Sequence, residues 1–68
     1  MAIIVRLDVM LALRKTTSKA LAEEIGLSEQ NLSMLRAGRA KGVRFNTLAK
    51  ICEALDCQPG DLLEFVPD

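Results

Sequence analysis

Apolar residues recur along this chain at three- and four-residue intervals with short polar clusters between the runs, a pattern that predicts a series of amphipathic helices. Ile3, Ile4 and Val5 depart from it, because three consecutive β-branched residues favour an extended segment. Leu7, Met10, Leu11 and Arg14 then set the period of a first helix, about Leu7 to Lys15. Thr16, Thr17 and Ser18 are capping residues just ahead of Leu21, Ala22 and Ile25, so a second helix starts there and stops at Gly26, which takes up the left-handed conformation readily. Ser28 caps a third helix that buries Leu32 and Leu35 and runs to Gly38. Residues 39 to 44 have no apolar period and read as a loop. Phe45, Leu48, Ile51, Cys52 and Leu55 restore the stripe for a fourth helix, about Phe45 to Leu55. Pro59 fits the first position of a short fifth helix, capped by Gln58 or Cys57 and closed by Leu62 and Leu63. Glu64 to Pro67 read as extended, and an apolar segment at each chain end invites pairing between the two.

Composition narrows the class. A chain of 68 residues holds one core, hence a single domain over 1–68. Half the residues are hydrophobic, yet only Phe45 and Phe65 are aromatic, so Leu, Ile, Val, Ala and Met must build that core, as in a small helical bundle. No apolar run approaches the ~20 residues that span a bilayer, and no secretory leader fits, so a soluble cytoplasmic protein is expected. The net charge is zero but unevenly laid out: residues 1–50 hold nine Lys and Arg against four acids, and residues 51–68 hold five acids and no base. Arg36, Arg39, Lys41 and Arg44 fall in nine residues without an acid, a density that suits a phosphate-binding edge as well as a solvated loop.

Catalytic and metal chemistry find little support. With no His in the chain, Cys-His and Ser-His pairs are excluded, and no Gly-rich phosphate loop or catalytic carboxylate pair stands out. Cys52 and Cys57 would lie about 140° apart on a helix, so they read as separate reduced thiols rather than as a disulfide or metal clamp. No cofactor and no small-molecule ligand is implied.

The stretch from Ser18 to Leu35 is more specific. Ala22 is small where two helices would cross, Gly26 permits a sharp turn, and Leu21, Ile25, Leu27, Leu32 and Leu35 turn toward one centre. This is a helix-turn-helix pattern. Together with Leu21-Ala22-Glu23-Glu24-Ile25-Gly26-Leu27-Ser28, with Ala37-Gly38-Arg39, with Phe45 to Ile51, and with Ala54 to Cys57 leading into Gly60 to Leu63, it resembles the Cro and phage-repressor (XRE) family in its short single-domain form. The resemblance covers nearly the whole chain. It implies an all-α, five-helix, lambda-repressor-like DNA-binding domain, usually dimeric, in a transcriptional regulator. Where the family commonly has Gln at the start of the second helix, this chain has the shorter Ser18; where it often has Glu late in the third, this chain has Arg36.

With Leu32 and Leu35 inward, Gln30, Ser33, Met34 and Ala37 fall on the outer face of the third helix, and Glu29 lies at its edge. Gln30, Ser33 and Met34 are the candidate base readers, Gln through its bidentate amide and Met through contact with a thymine methyl. Glu29 either complements the helix dipole or accepts a hydrogen bond from a cytosine amine. Asn31 sits beside the core and suits hydrogen bonding at the helix start. Backbone contacts are expected from Ser18, Lys19, Ser28, Arg36, Arg39, Lys41 and Arg44, while Arg14 and Lys15 fit a solvated helix end better. Double-stranded DNA is then the partner. Ile3, Ile4, Val5, Phe65 and Val66 present apolar surface that a second copy would cover, giving a homodimer that reads a palindrome. The competing reading is a protein-interaction module of the same fold, such as an antitoxin or anti-repressor partner.

Overall fold

The computed structural model describes residues 2–67 and arranges them as β1 (Ala2–Val5), α1 (Leu7–Leu13), α2 (Ser18–Ile25), α3 (Glu29–Arg36), α4 (Phe45–Leu55), α5 (Pro59–Leu62) and β2 (Leu63–Val66). The longest helix has 11 residues, and isolated helices shorter than ~12–15 residues are marginal in water. A shared core supplies the missing stability. Leu7, Met10 and Leu11 from α1, Leu21 and Ala22 from α2, Leu32 from α3, Ile51 and Leu55 from α4, and Leu62 from α5 form one buried cluster. Burying a side chain of this size fully is worth roughly 1.5–3 kcal/mol. Ile25, Leu27, Leu35 and Leu48 pack against the cluster from its rim.

The helix ends account for the differences from the expected spans. α1 stops at Leu13 because Lys15 adopts a positive φ of 55° and turns the chain away. The Lys15 N–H then donates to the Ala12 carbonyl (3.1 Å) and the Thr16 N–H to the Leu11 carbonyl (3.0 Å), the paired closing bonds of a Schellman turn. The second of those bonds, which reaches five residues back, recurs after α2, α3 and α4, from Leu27 to Ala22 (3.0 Å), Arg39 to Met34 (2.9 Å) and Cys57 to Cys52 (3.0 Å). Gly26, Gly38 and Asp56 supply the left-handed step each time. α3 accordingly ends at Arg36, and Gly38 belongs to its closing turn.

At the starts, the Ala20 N–H donates to the Thr17 hydroxyl and the Asn31 N–H to the Ser28 hydroxyl, both at 3.1 Å. Gln58 rather than Cys57 caps α5: its N–H donates to the Asp61 carboxylate at 2.9 Å, and the Asp61 N–H returns to the Gln58 carbonyl.

β1 and β2 pair antiparallel, Ala2 with Val66, Ile3 with Phe65, Ile4 with Glu64 and Val5 with Leu63. Val5 and Leu63 pack on the core, whereas Ile3 and Phe65, the next pair on the same face, are 60% and 57% exposed. An Arg6–Glu64 ion pair and a bond from the Arg6 N–H to the Leu62 carbonyl (2.7 Å) fasten the ribbon where it meets α1 and α5.

Two expectations fail here. Phe45 continues the apolar period of α4 yet is 88% exposed. Burial along α4 grows from its start, through half-buried Leu48 to buried Ile51 and Leu55, so the first turn lies beyond the core it was expected to join. The separation of about 140° expected for Cys52 and Cys57 does not apply either. Cys57 lies past the helix end, and the left-handed Asp56 folds the chain back so that the Cys57 N–H donates to the Cys52 carbonyl at 3.0 Å.

Leu32→Ala should lower unfolding stability by ~2–5 kcal/mol, while Phe45→Ala should change it by less than ~0.5 kcal/mol. Urea titrations of the two variants separate a core residue from an exposed one; a loss above ~2 kcal/mol for Phe45→Ala would contradict its exposed placement.

Candidate nucleic-acid interface

α2 and α3 are joined by the tight turn Gly26-Leu27-Ser28, with Ala22 buried between them and Leu27 packed beneath the turn. This packing fixes the roll of α3. Leu32 is 0% exposed and Leu35 lies against the core, so the opposite face must look outward. Glu29, Gln30, Ser33 and Met34 line one shallow depression there, with Ala37 and with Arg39 from the loop. Met34 is 42% exposed and does not enter the core. The surface offers an amide, a hydroxyl, a thioether and one carboxylate, a mixture of hydrogen-bonding and apolar contacts on a narrow helix.

The basic residues lie on two sides of this depression rather than along one edge. Arg36 lines a second depression with Ser18 and Lys19 at the start of α2 and with Asp8 and Thr16 beside α1. Arg44 lines a groove on the other side, shared with Asn31, Met34, Gly42 and Thr47. Arg39 borders the first depression itself, and Lys41 is exposed in the loop. Arg36 thus joins Lys19, not the loop residues with which its sequence position groups it. The Ser28 hydroxyl spends an acceptor position on its cap and keeps its O–H free to donate.

Ser18 departs from its expected role. Its Oγ is buried and finds no hydrogen-bond partner among the described residues, because Thr17 takes the capping position and turns Ser18 inward. Lys19, the next residue of the same helix start, is exposed. Arg14 is not a free helix end: its Nε donates to the Leu55 carbonyl (2.7 Å) and a terminal nitrogen donates to the Asp56 carbonyl (3.0 Å). It caps α4 from the end of α1 and places positive charge where the α4 dipole is negative. Asn31 makes the hydrogen bond expected at the helix start, its N–H donating to the Ser28 hydroxyl, while its exposed side chain lines the groove with Arg44. Phe45 stands exposed next to Arg44.

A helix-turn-helix whose second helix turns a polar, nearly acid-free face outward between two basic flanks defines a DNA-binding protein. The chain belongs to the Cro/C1-type HTH DNA-binding domain family, whose pattern matches residues 6–68. It is 53% identical over all 68 residues to the uncharacterized HTH-type transcriptional regulator YozG of Bacillus subtilis (strain 168), covering 81% of that protein. Its fold is similar to the crystal structure of a putative DNA-binding protein from Bacteroides fragilis, with a TM-score of 0.82, 28% identity, and 93% of this chain and all of that one aligned. The family is one of DNA-binding transcriptional regulators rather than an enzyme class, and the five-helix fold expected from the resemblance is the one observed.

Arg14→Ala should lower stability by ~1–2 kcal/mol through loss of a partly exposed, charge-assisted cap. The salt dependence of DNA binding should keep its slope, since no phosphate contact is removed. A slope reduced by ~1 in a fluorescence titration at several salt concentrations would instead put Arg14 on DNA.

Proposed function

We propose that this chain is a sequence-specific regulator that binds DNA as a homodimer, lays α3 in the major groove of each half-site, and lowers transcription by covering a promoter in the cytoplasm. One observation carries the reading: Glu29, Gln30, Ser33 and Met34 share a single outward depression that Lys19 and Arg36 flank on one side and Arg44 on the other. A helix of this width fits a groove about 12 Å wide, and phosphate contacts on both walls would hold it in register. Gln30 suits adenine through two hydrogen bonds, and Met34 suits a thymine methyl. Lys19, Ser28, Arg36, Arg39, Lys41 and Arg44 supply affinity without sequence information. In the described residues no helix is long and apolar enough to cross a membrane.

The dimer rests on the ribbon. A two-stranded sheet is marginal by itself, and this one exposes Ile3, Ile4, Phe65 and Val66 while both its outer edges are unpaired among the described residues. A second copy would cover that surface and set the two α3 helices about 34–36 Å apart, one turn of DNA. Reading two half-sites also supplies the selectivity that a few base pairs lack.

The first test selects a preferred site from random duplex DNA and titrates variants on it. Gln30→Ala should cost ~1–3 kcal/mol at that site and relax one position, leaving non-specific binding nearly unchanged. Replacing Arg39, Lys41 and Arg44 together should weaken binding to every sequence and lower the salt slope by ~3. Equal losses on specific and non-specific DNA for Gln30→Ala would remove it from base reading; failure to enrich any sequence would favour a protein-interaction module.

Phe65→Asp should give monomers by sedimentation and lose the preference for a palindrome over its half-site. A wild-type chain that stays monomeric at tens of micromolar and binds an isolated half-site with full affinity would reject the dimer.

A further inference from the structure

Cys52 and Cys57 carry chemistry that DNA reading leaves unused. Both are free, half-buried and packed at the rim of the core. Cys52 lies in the last turns of α4 and Cys57 two residues past its end; the left-handed Asp56 between them lets the Cys57 N–H reach the Cys52 carbonyl at 3.0 Å. Side chains at these two positions of a Schellman turn commonly touch, and here both are thiols. The turn is held from outside by Arg14, whose guanidinium binds the carbonyls of Leu55 and Asp56. Among the described residues no group of three or more Cys, His, Asp or Glu comes together, so a metal ion would lack ligands beyond this pair.

We propose that Cys52 and Cys57 are a modification site: a reversible intrachain disulfide that closes the C-terminal turn of α4, formed by a peroxide and opened by a dithiol. One thiolate attacks a peroxide oxygen, the O–O bond breaks, and that sulfur becomes a sulfenic acid as the first water leaves. The other thiolate attacks the sulfenic sulfur, forming the S–S bond and expelling the second oxygen as water. Two thiols and hydrogen peroxide thus give one disulfide and two waters, with two electrons passing from sulfur to oxygen. A dithiol reverses the reaction by exchange and is itself oxidised.

The surroundings set the pH dependence. Burial pushes the Cys57 thiol above its ordinary pKa, with Cys52 and Asp61 adding to the rise and Arg14 opposing it. A raised pKa leaves less thiolate at neutral pH, so closure should quicken as the solution becomes alkaline. Because the turn already brings the two cysteine backbones within hydrogen-bonding distance, the bond should form without displacing α4 or α5.

The test uses the reduced native chain and hydrogen peroxide. No Lys or Arg follows Lys50, so one tryptic peptide, residues 51–68, holds both cysteines. The expected product is that peptide lighter by two hydrogens, restored by dithiothreitol, in a chain whose melting midpoint rises by ~2–8 °C. Closure should run faster at pH about 9 than at about 7. Cys57→Ser should lose the two-hydrogen change and gain oxygen at Cys52 instead. Oxygen adducts without a linkage in the wild-type chain, linkage only between chains, or a linked chain with a lower midpoint would overturn the proposal.

Discussion

The burial of Leu32 is the interaction on which the other features depend. It is the buried residue that α3 contributes to the core, and without it α3 would touch the body only through its rim. With a single deep anchor and Leu35 beside it, α3 can expose nearly all of its polar surface and still have a fixed roll. A helix with more buried positions would hold more firmly but leave less of itself for a groove. The small Ala22 on α2 complements this arrangement, since a larger side chain at the crossing would push α3 away from its anchor.

Helix ends do as much as helix faces to shape the molecule. Four helices close over one left-handed residue each, which satisfies carbonyls that would otherwise be orphaned and reverses the chain within two or three residues. Glycine fills two of these positions. Lys15 and Asp56 fill the other two and carry the steric cost of a side chain in that conformation. Arg14 bridges these two turns directly, for it precedes Lys15 and binds the carbonyl of Asp56. The first and fourth helices are therefore joined through their ends as well as through the core they share.

Much of this was legible from the chain. Leu32 and Leu35 fix the phase of α3, and phase alone gives the outward set of Gln30, Ser33 and Met34; α4 spans the residues its stripe marks, and the two apolar chain ends pair as strands. What escaped depends on partners distant in sequence or on the last few residues of an element. Periodicity records which side of α4 Phe45 occupies but not that nothing stands opposite it. The role of Arg14 needs a carbonyl 41 positions away, and the inward turn of Ser18 follows from Thr17 winning the cap. Cys52 and Cys57 are the free, packed thiols expected, but their separation of about 140° fails because helical angles do not hold past the helix end, where Asp56 changes the direction of the chain.

The orientation of α4 has an electrical consequence. Arg44 and the basic loop stand at its start, where the helix dipole is already positive, while Glu53 and Asp56 stand at its end, where the dipole is negative, followed by Asp61 and Glu64. Side chains and backbone therefore add along α4 instead of offsetting one another, with Arg14, and Arg6 in its ion pair with Glu64, the local exceptions. Over about 16 Å of helix these charges give α4 a larger dipole than its backbone alone supplies. A polyanion exerts little net pull on a chain of zero net charge at long range, yet within a Debye length of about 8–10 Å its field exerts a torque that turns the basic end forward. Docking rates are limited chiefly by the rarity of correctly oriented collisions, so the chain is aimed at DNA without being strongly drawn to every other anion it meets.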